Sequence, residues 1–209
     1  MPMENLVNWW NTSSQMDRDY GKTAYHGYKF DIMKILPTRS MDVGCAVFAL
    51  LSPNNDYNGN VDSMRKVVAA HRRGIPAREI EGLTCYRACA ERAYRVLDCE
   101  PIDNVFGKNA NKTYNFYRNI LDPEDPRFVT IDGHMYNLWR GEITTLKEVA
   151  VHFKPKQYKV IADDFKAFAR ALDIPPSQLQ ATLWWIWKRV NRIRFDYQID
   201  LPLELAEVV

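Results

Sequence analysis

Lys112 and Asp132 stand twenty positions apart within the stretch from Phe106 to Gly141, FGKNANKTYNFYRNILDPEDPRFVTIDGHMYNLWRG. A lysine amine that loses its proton through desolvation or nearby cations can attack carbon and go on to a Schiff base. A carboxylate fixed beside the reacting centre stabilises positive charge that develops there. The spacing predicts that the two groups lie on successive elements. Gly107, Asn109 and Asn111 supply a turn before a helix carrying Lys112, a proline-punctuated loop comes next, and Asp132 opens another apolar helix. Taken singly, a lysine is a solvated surface cation and an aspartate before a helix is a cap. Capping and catalysis are compatible at Asp132, and Lys108, inside the turn, is an alternate nucleophile or a phosphate contact. His134, two positions after Asp132, is suited to orienting a substrate or to a hydrogen-bonded structural role.

Other chemistries lack their residues. The chain has no GxxxxGK[ST], no GxGxxG after a strand, no HExxH and no GxSxG, and its histidines, at 26, 71, 134 and 152, show no metal-ligand spacing. Cys45, Cys85, Cys89 and Cys99 show no CxxC pairing, so neither a structural metal nor an iron-sulfur cluster is expected, and no cofactor is implied. A net charge of +2 is too small to imply nucleic acid by itself. No early apolar run resembles a signal peptide and none is long enough to cross a bilayer, which predicts a cytoplasmic protein.

The 209 residues, 46% of them apolar, are enough for a substantial core in one large unit or two closely packed lobes. Aromatic residues before Pro37, among them Trp9, Trp10, Tyr20, Tyr25, Tyr28 and Phe30, suggest helical pieces packed on the main body. The run Val43 to Leu51 fits a buried strand or a buried helix. The helical spacing beyond the next loop favours helix. After the polar break SPNNDYNGN, Asn60 is a plausible cap for a helix burying Val61, Met64, Val67 and Val68. Arg78 to Asp98 reads as one long amphipathic helix and Thr144 to Val151 as a short one, with Leu146 and Val149 inward. Pro155 introduces a helix with Val160, Ile161, Phe165, Phe168 and Leu172 on its apolar face. Ile174 to Ser177 stops it and starts the last, in which Leu179, Leu183, Ile186 and Val190 form a stripe widened by Trp184, Trp185 and Trp187. The expected fold is all-α, a bundle of nine or ten helices.

Three segments in this order, LLSPNNDYNGNVDSMRKVV, the hairpin-like FGKNANKT and VTIDGHMYNLWR, resemble the helix-hairpin-helix DNA glycosylases, which include 8-oxoguanine DNA glycosylase, endonuclease III and the archaeal 8-oxoguanine glycosylases. The resemblance covers roughly residues 43 to 140. It implies a two-lobed glycosylase-like unit spanning 1–209, with 43–140 as the central region and 1–42 plus 141–209 as the second lobe. In that family a Gly-rich hairpin precedes the catalytic lysine and an aspartate lies about twenty positions later, which maps onto Lys112 and Asp132. Asn54 and Asn55 resemble the position that fills the gap left by an extruded base; a plain Asx turn after Pro53 is the other reading. Gly107, Asn109 and Asn111 would form the hairpin, whose backbone N–H groups anchor phosphate. The chain departs from the family in carrying a single hairpin glycine, no Gly-Pro before Asp132 and no C-terminal four-cysteine cluster.

The implied activity is that of a base-excision repair enzyme, a monomeric DNA glycosylase with AP lyase activity acting on double-stranded DNA that contains a damaged or modified base. Such an enzyme flips the base out because its glycosidic bond is inaccessible within the stack. The alternatives are a glycosylase fold redirected to tailoring hypermodified bases in phage DNA and a non-catalytic DNA-binding helical module. Walls of a base pocket could come from Trp10, Phe116, His134 and Trp185, although each of these residue types is more often core than ligand.

Overall fold

In a computed structural model the described residues are 2–37, 39–53, 55–107, 111–145, 149 and 154–191. They form ten α-helices, one 3-10 turn and no strand. Helix α1 (Pro2–Asn11) leads into α2 (Gln15–Ile35), whose start is fixed by a reciprocal capping box between Ser14 and Asp17. Helix α3 (Met41–Leu51) is capped by Ser40 and is buried from Gly44 through Leu51, too apolar all round to lie anywhere but a core centre. Helices α4 (Tyr57–Arg72), α5 (Arg87–Leu97), α6 (Ile102–Phe106) and α7 (Asn111–Leu121) pack around it. Then come α8 (Gly133–Arg140), α9 (Pro155–Ala171) and α10 (Pro176–Val190), the last two opened by prolines at positions where no amide hydrogen is needed.

Two hydrophobic cores result. The first is centred on α3 and takes side chains from α2 and from α4 to α7. The second joins α1, α8, α9 and α10 with Val129 and Ile131 from the segment before α8. Helices α2 and α10 run antiparallel along the seam between them, with Asp17 against Arg189 at 2.8 Å and the Tyr25 hydroxyl donating to Gln180 Oε1 at 2.7 Å. The seam is tight: a Cβ at Gly21 would lie 1.9 Å from Thr182 Oγ1. Alanine there would force the two helices apart.

Four sequence expectations are corrected. Helix α4 begins at Tyr57 under an Asp56 cap, and Asn60 is a buried interior residue whose amide donates to Phe48 O at 3.1 Å. Arg78 to Asp98 is not one helix: a 3-10 turn at Ala77–Glu79 and a non-helical run through Gly82, at φ +66, precede α5. Ile80 and Leu83 still pack on the first core, so apolar spacing mimicked a helix that the positive φ at Gly82 interrupts. Val160 and Val190 are exposed rather than buried, each at the rim of a helix whose core stripe is supplied by its neighbours. Val149 is buried as expected, whereas Leu146 lies outside the described residues. Among the described residues no helix is long and apolar enough to cross a membrane, and no group of three His, Cys, Asp or Glu converges as metal ligands.

Candidate active site

The segment Phe128 to Ile131 crosses the molecule without helical hydrogen bonds, so its backbone groups need partners from elsewhere. Three side chains supply them. Asn119 Nδ2 donates to Phe128 O at 3.0 Å, Val129 N–H donates to Asn115 Oδ1 at 3.3 Å, and the Thr130 hydroxyl donates to Asn119 Oδ1 at 2.8 Å. From α9, the Tyr158 hydroxyl donates to Val129 O at 2.8 Å and accepts from Ile131 N–H at 3.1 Å. Tyr25 of α2 adds its hydroxyl beside Thr130. Asn119 is fully buried and Tyr158 nearly so, and a buried polar side chain is tolerated only when satisfied in this way.

What this scaffold delivers is Asp132. Its backbone is extended and its side chain caps α8, with Oδ1 accepting from Met135 N–H at 2.9 Å. The second oxygen accepts from Trp184 Nε1–H of α10 at 3.0 Å. Over the Trp184 ring, at 4.4 Å from its centroid, lies the Lys188 ammonium. The carboxylate is therefore half-buried, held on both oxygens and close to the seam of α2 and α10. Burial pushes the Tyr158 and Tyr25 phenols well above their usual range, and the negative charge of Asp132 adds to both shifts.

His134 lies on the first turn of α8, where burial holds its imidazole below the usual histidine range. Asp132 opposes that shift, while the charges of Lys188 and Lys112 reinforce it. The charges of Asp132, Lys188 and Lys112, from three separate segments, are thus all felt at His134. The shift favours the neutral imidazole, which can donate from one nitrogen and accept at the other. Lys112 itself is exposed on the first turn of α7 and forms no salt bridge with another described residue.

The remaining sequence candidates fall elsewhere. Asn54, Lys108 and Asn109 lie outside the described residues. Asn55 directs its amide inward, donating to Leu51 O and to Ser63 Oγ, each at 3.3 Å, so that it clamps the end of α3 to α4. Gly107 ends α6 at φ +71, a conformation that favours glycine, and its N–H donates to Asp103 O at 3.2 Å. Asn111 starts α7, its carbonyl accepting from the Asn115 amide at 2.7 Å. Of the suggested pocket walls only His134 adjoins Asp132. Trp10 belongs to the second core, Phe116 packs among Tyr25, Tyr28 and Phe48, and Trp185 stacks on Tyr20 with centroids 4.2 Å apart.

Sequence reasoning marked Lys188 as a cation able to face a phosphate backbone, but missed Trp184, Tyr158, Asn115 and Asn119. Asn115 and Asn119 did leave a signal, two amides one helical turn apart in YNFYRNIL, where Arg118 is the only other polar side chain besides the tyrosine hydroxyls. Trp184 sits in a tryptophan run that reads as core, and nothing local marks its indole N–H as the partner of a carboxylate 52 positions earlier.

The chain belongs to a family of unknown function, DUF7178, whose profile matches residues 2–191. No curated protein and no solved structure matches it.

Proposed function

We propose that this chain is a DNA glycosylase with associated lyase activity, acting on a damaged or modified base in duplex DNA. The observation that carries the reading is the placement of Asp132, clamped on both oxygens two positions before His134, whose imidazole burial holds below its usual range. A fixed carboxylate needs no reorganisation when charge develops next to it, which is the condition for electrostatic stabilisation of a transition state.

In this mechanism the extruded base leaves with the electron pair of its N-glycosidic bond as positive charge grows on the deoxyribose, opposite Asp132. The unprotonated Lys112 amine attacks the anomeric carbon and forms the new C–N bond. Opening of the sugar ring then gives the iminium, and loss of a proton from the adjacent carbon expels the 3′ phosphate by β-elimination. Lys112 is exposed in the free chain, so bound DNA must supply its desolvation. Lys188 offers a further cation for the phosphate backbone, and His134 a hydrogen-bonding edge for the base.

Borohydride reduction tests this reading. With duplexes carrying an abasic site, 8-oxoguanine, uracil or a hydroxymethylated or glycosylated pyrimidine, the expected result is base release from at least one substrate and a trapped covalent complex that Lys112→Gln abolishes. An adduct persisting in that variant moves the nucleophile to another lysine, Lys108 first. The exposure of Lys112 gives the binding-only alternative its one favourable observation; binding to abasic DNA with no base released from any duplex would establish that alternative.

A further inference from the structure

Helix α2 has two interior glycines, Gly21 and Gly27, and the fold accounts for only one of them. At Gly21 the nearness of Thr182 leaves no room for a side chain. At Gly27 a Cβ would meet nothing within 4 Å and φ is not positive, so neither packing nor conformation within the chain calls for glycine. Glycine weakens a helix interior relative to alanine, and what it offers in return is close approach to the backbone from outside.

Gly27 belongs to a stripe with the spacing of a helix–helix seam. Met16, Tyr20, Thr23, Gly27, Phe30 and Lys34 follow one another at intervals of four, three, four, three and four residues. Met16 is 72% and Phe30 51% exposed, although both are large and apolar. Tyr20 is half-buried, stacked on Trp185, and the Lys34 ammonium lies 3.9 Å from the centroid of the Phe30 ring. The Thr23 hydroxyl is already satisfied by Asp19 O at 3.0 Å. Taken from either end, the stripe has the same order: long chain, aromatic ring, small residue, small residue, aromatic ring, long chain. A two-fold interface needs such self-complementarity, because one patch serves both partners.

We propose that α2 pairs antiparallel with α2 of a second copy of this chain, about a two-fold axis between Thr23 and Gly27. Thr23 then lies against the partner's Gly27, where the backbones come closest, and Tyr20 against the partner's Phe30. Met16 is covered by the stem of the partner's Lys34, whose ammonium stays in water. Beside the seam this register opposes no two free carboxylates. Asp19 faces the partner's Met33, and Asp31, engaged by the Tyr57 hydroxyl, faces the partner's Asp17, which is fully buried and paired with Arg189. A strip one helix wide, about 27 Å by 10 Å, is small against the ~800 Å² per partner of a standard interface, so the dimer is weak and concentration-dependent. It differs from the monomer that the glycosylase resemblance implies, and it does not rest on the glycosylase reading.

Sedimentation equilibrium of the full chain from micromolar to millimolar concentration tests the pairing, with a reversible monomer–dimer equilibrium expected. Phe30→Glu should raise the dissociation constant about tenfold or more, since the two-fold axis counts the lost contact twice. Gly27→Leu separates seam from fold. Within one copy its side chain enters open space and the helix gains propensity, so the thermal midpoint should hold or rise while the dimer weakens by a similar factor. The register is read by copper-phenanthroline cross-linking in a Cys99→Ser background, which removes the exposed native thiol. A mixture of Thr23→Cys and Gly27→Cys chains should cross-link faster than either chain alone. A chain that stays monomeric throughout overturns the proposal, as does a dimer that Phe30→Glu or Gly27→Leu leaves at full strength. Faster cross-linking of like with like overturns the antiparallel arrangement and with it the proposed axis.

Discussion

The two arms of the candidate site are built in opposite ways. Asp132 is approached by a segment held from α2, α7 and α9, and its carboxylate is clamped from α8 and α10. Lys112 stands exposed on the first turn of α7. The difference matches what each group would have to do under the proposed glycosylase mechanism. A carboxylate that stabilises developing charge gains from being fixed beforehand, whereas an amine that must cross to a sugar carbon needs reach and acquires its environment from the substrate. It also teaches that stability and activity should separate: substitutions on the acidic arm should disturb the fold, and those on the amine arm should not.

The sharpest test of that contrast is a pair of substitutions. Asp132→Asn should lower base release by roughly 10²–10³-fold, the range for removing one preorganised electrostatic partner, while DNA binding in a gel-shift assay stays near wild type. Lys112→Gln should abolish borohydride trapping yet change the stability measured in urea by no more than about 0.5 kcal/mol, as for a surface position. Marked destabilisation by Lys112→Gln would erase the distinction between the arms.

Next in size is Tyr158→Phe, which removes the hydroxyl bridging Val129 O and Ile131 N–H and leaves two buried backbone groups unpaired. A loss of about 2–4 kcal/mol in urea denaturation is expected, with base release falling as Asp132 loosens. Trp184→Phe keeps the ring beneath Lys188 and deletes the N–H, so it should cost about 1–2 kcal/mol, the hydrogen bond to a carboxylate being charge-assisted. If Trp184→Phe proves neutral in stability and turnover, the second clamp on Asp132 has no function.

The smallest effect is the most direct probe of proximity. Proton NMR should find the His134 imidazole titrating below 6.5, and Lys112→Gln should move the midpoint upward by removing a cation that disfavours the charged ring. Because its folded pKa is depressed below the unfolded value, His134 contributes stability that is present above the unfolded pKa and is lost as pH falls through the folded one. An unmoved midpoint in Lys112→Gln would place Lys112 too far from the site to act there.

Much of the architecture was legible because it is written in short-range signals. Pro155 and Pro175-Pro176 mark helix starts that need no amide hydrogen, and the unbroken apolar run at 43–51 could only be central. The misreading at Arg78 to Asp98 shows the limit, since Ile80 and Leu83 are apolar for tertiary reasons while Gly82 sets the backbone. The site divides along the same line. Asp132 was recognisable as a residue opening a helix, but Trp184, which donates to its carboxylate, lies 52 positions further on, and the side chains that hold the segment before it come from Tyr158 on α9 and from Asn115 and Asn119 on α7. Asn55 could not be assigned from sequence because an Asx turn, a DNA-facing amide and an internal clamp use the same residue type.

The seam between α2 and α10 carries one more consequence, for the order of assembly. Asp17 is fully buried and finds its cation in Arg189, 172 positions away. During synthesis, α2 therefore leaves the ribosome with a carboxylate that has no counter-charge until nearly the whole described chain has emerged. The first core can condense around α3 from nearer neighbours, but closure of the seam must wait for α10, and such distant closures are slow. Folding of this protein should thus end, rather than begin, with the helix that carries Trp184, leaving Asp132 free of its second clamp until that last step.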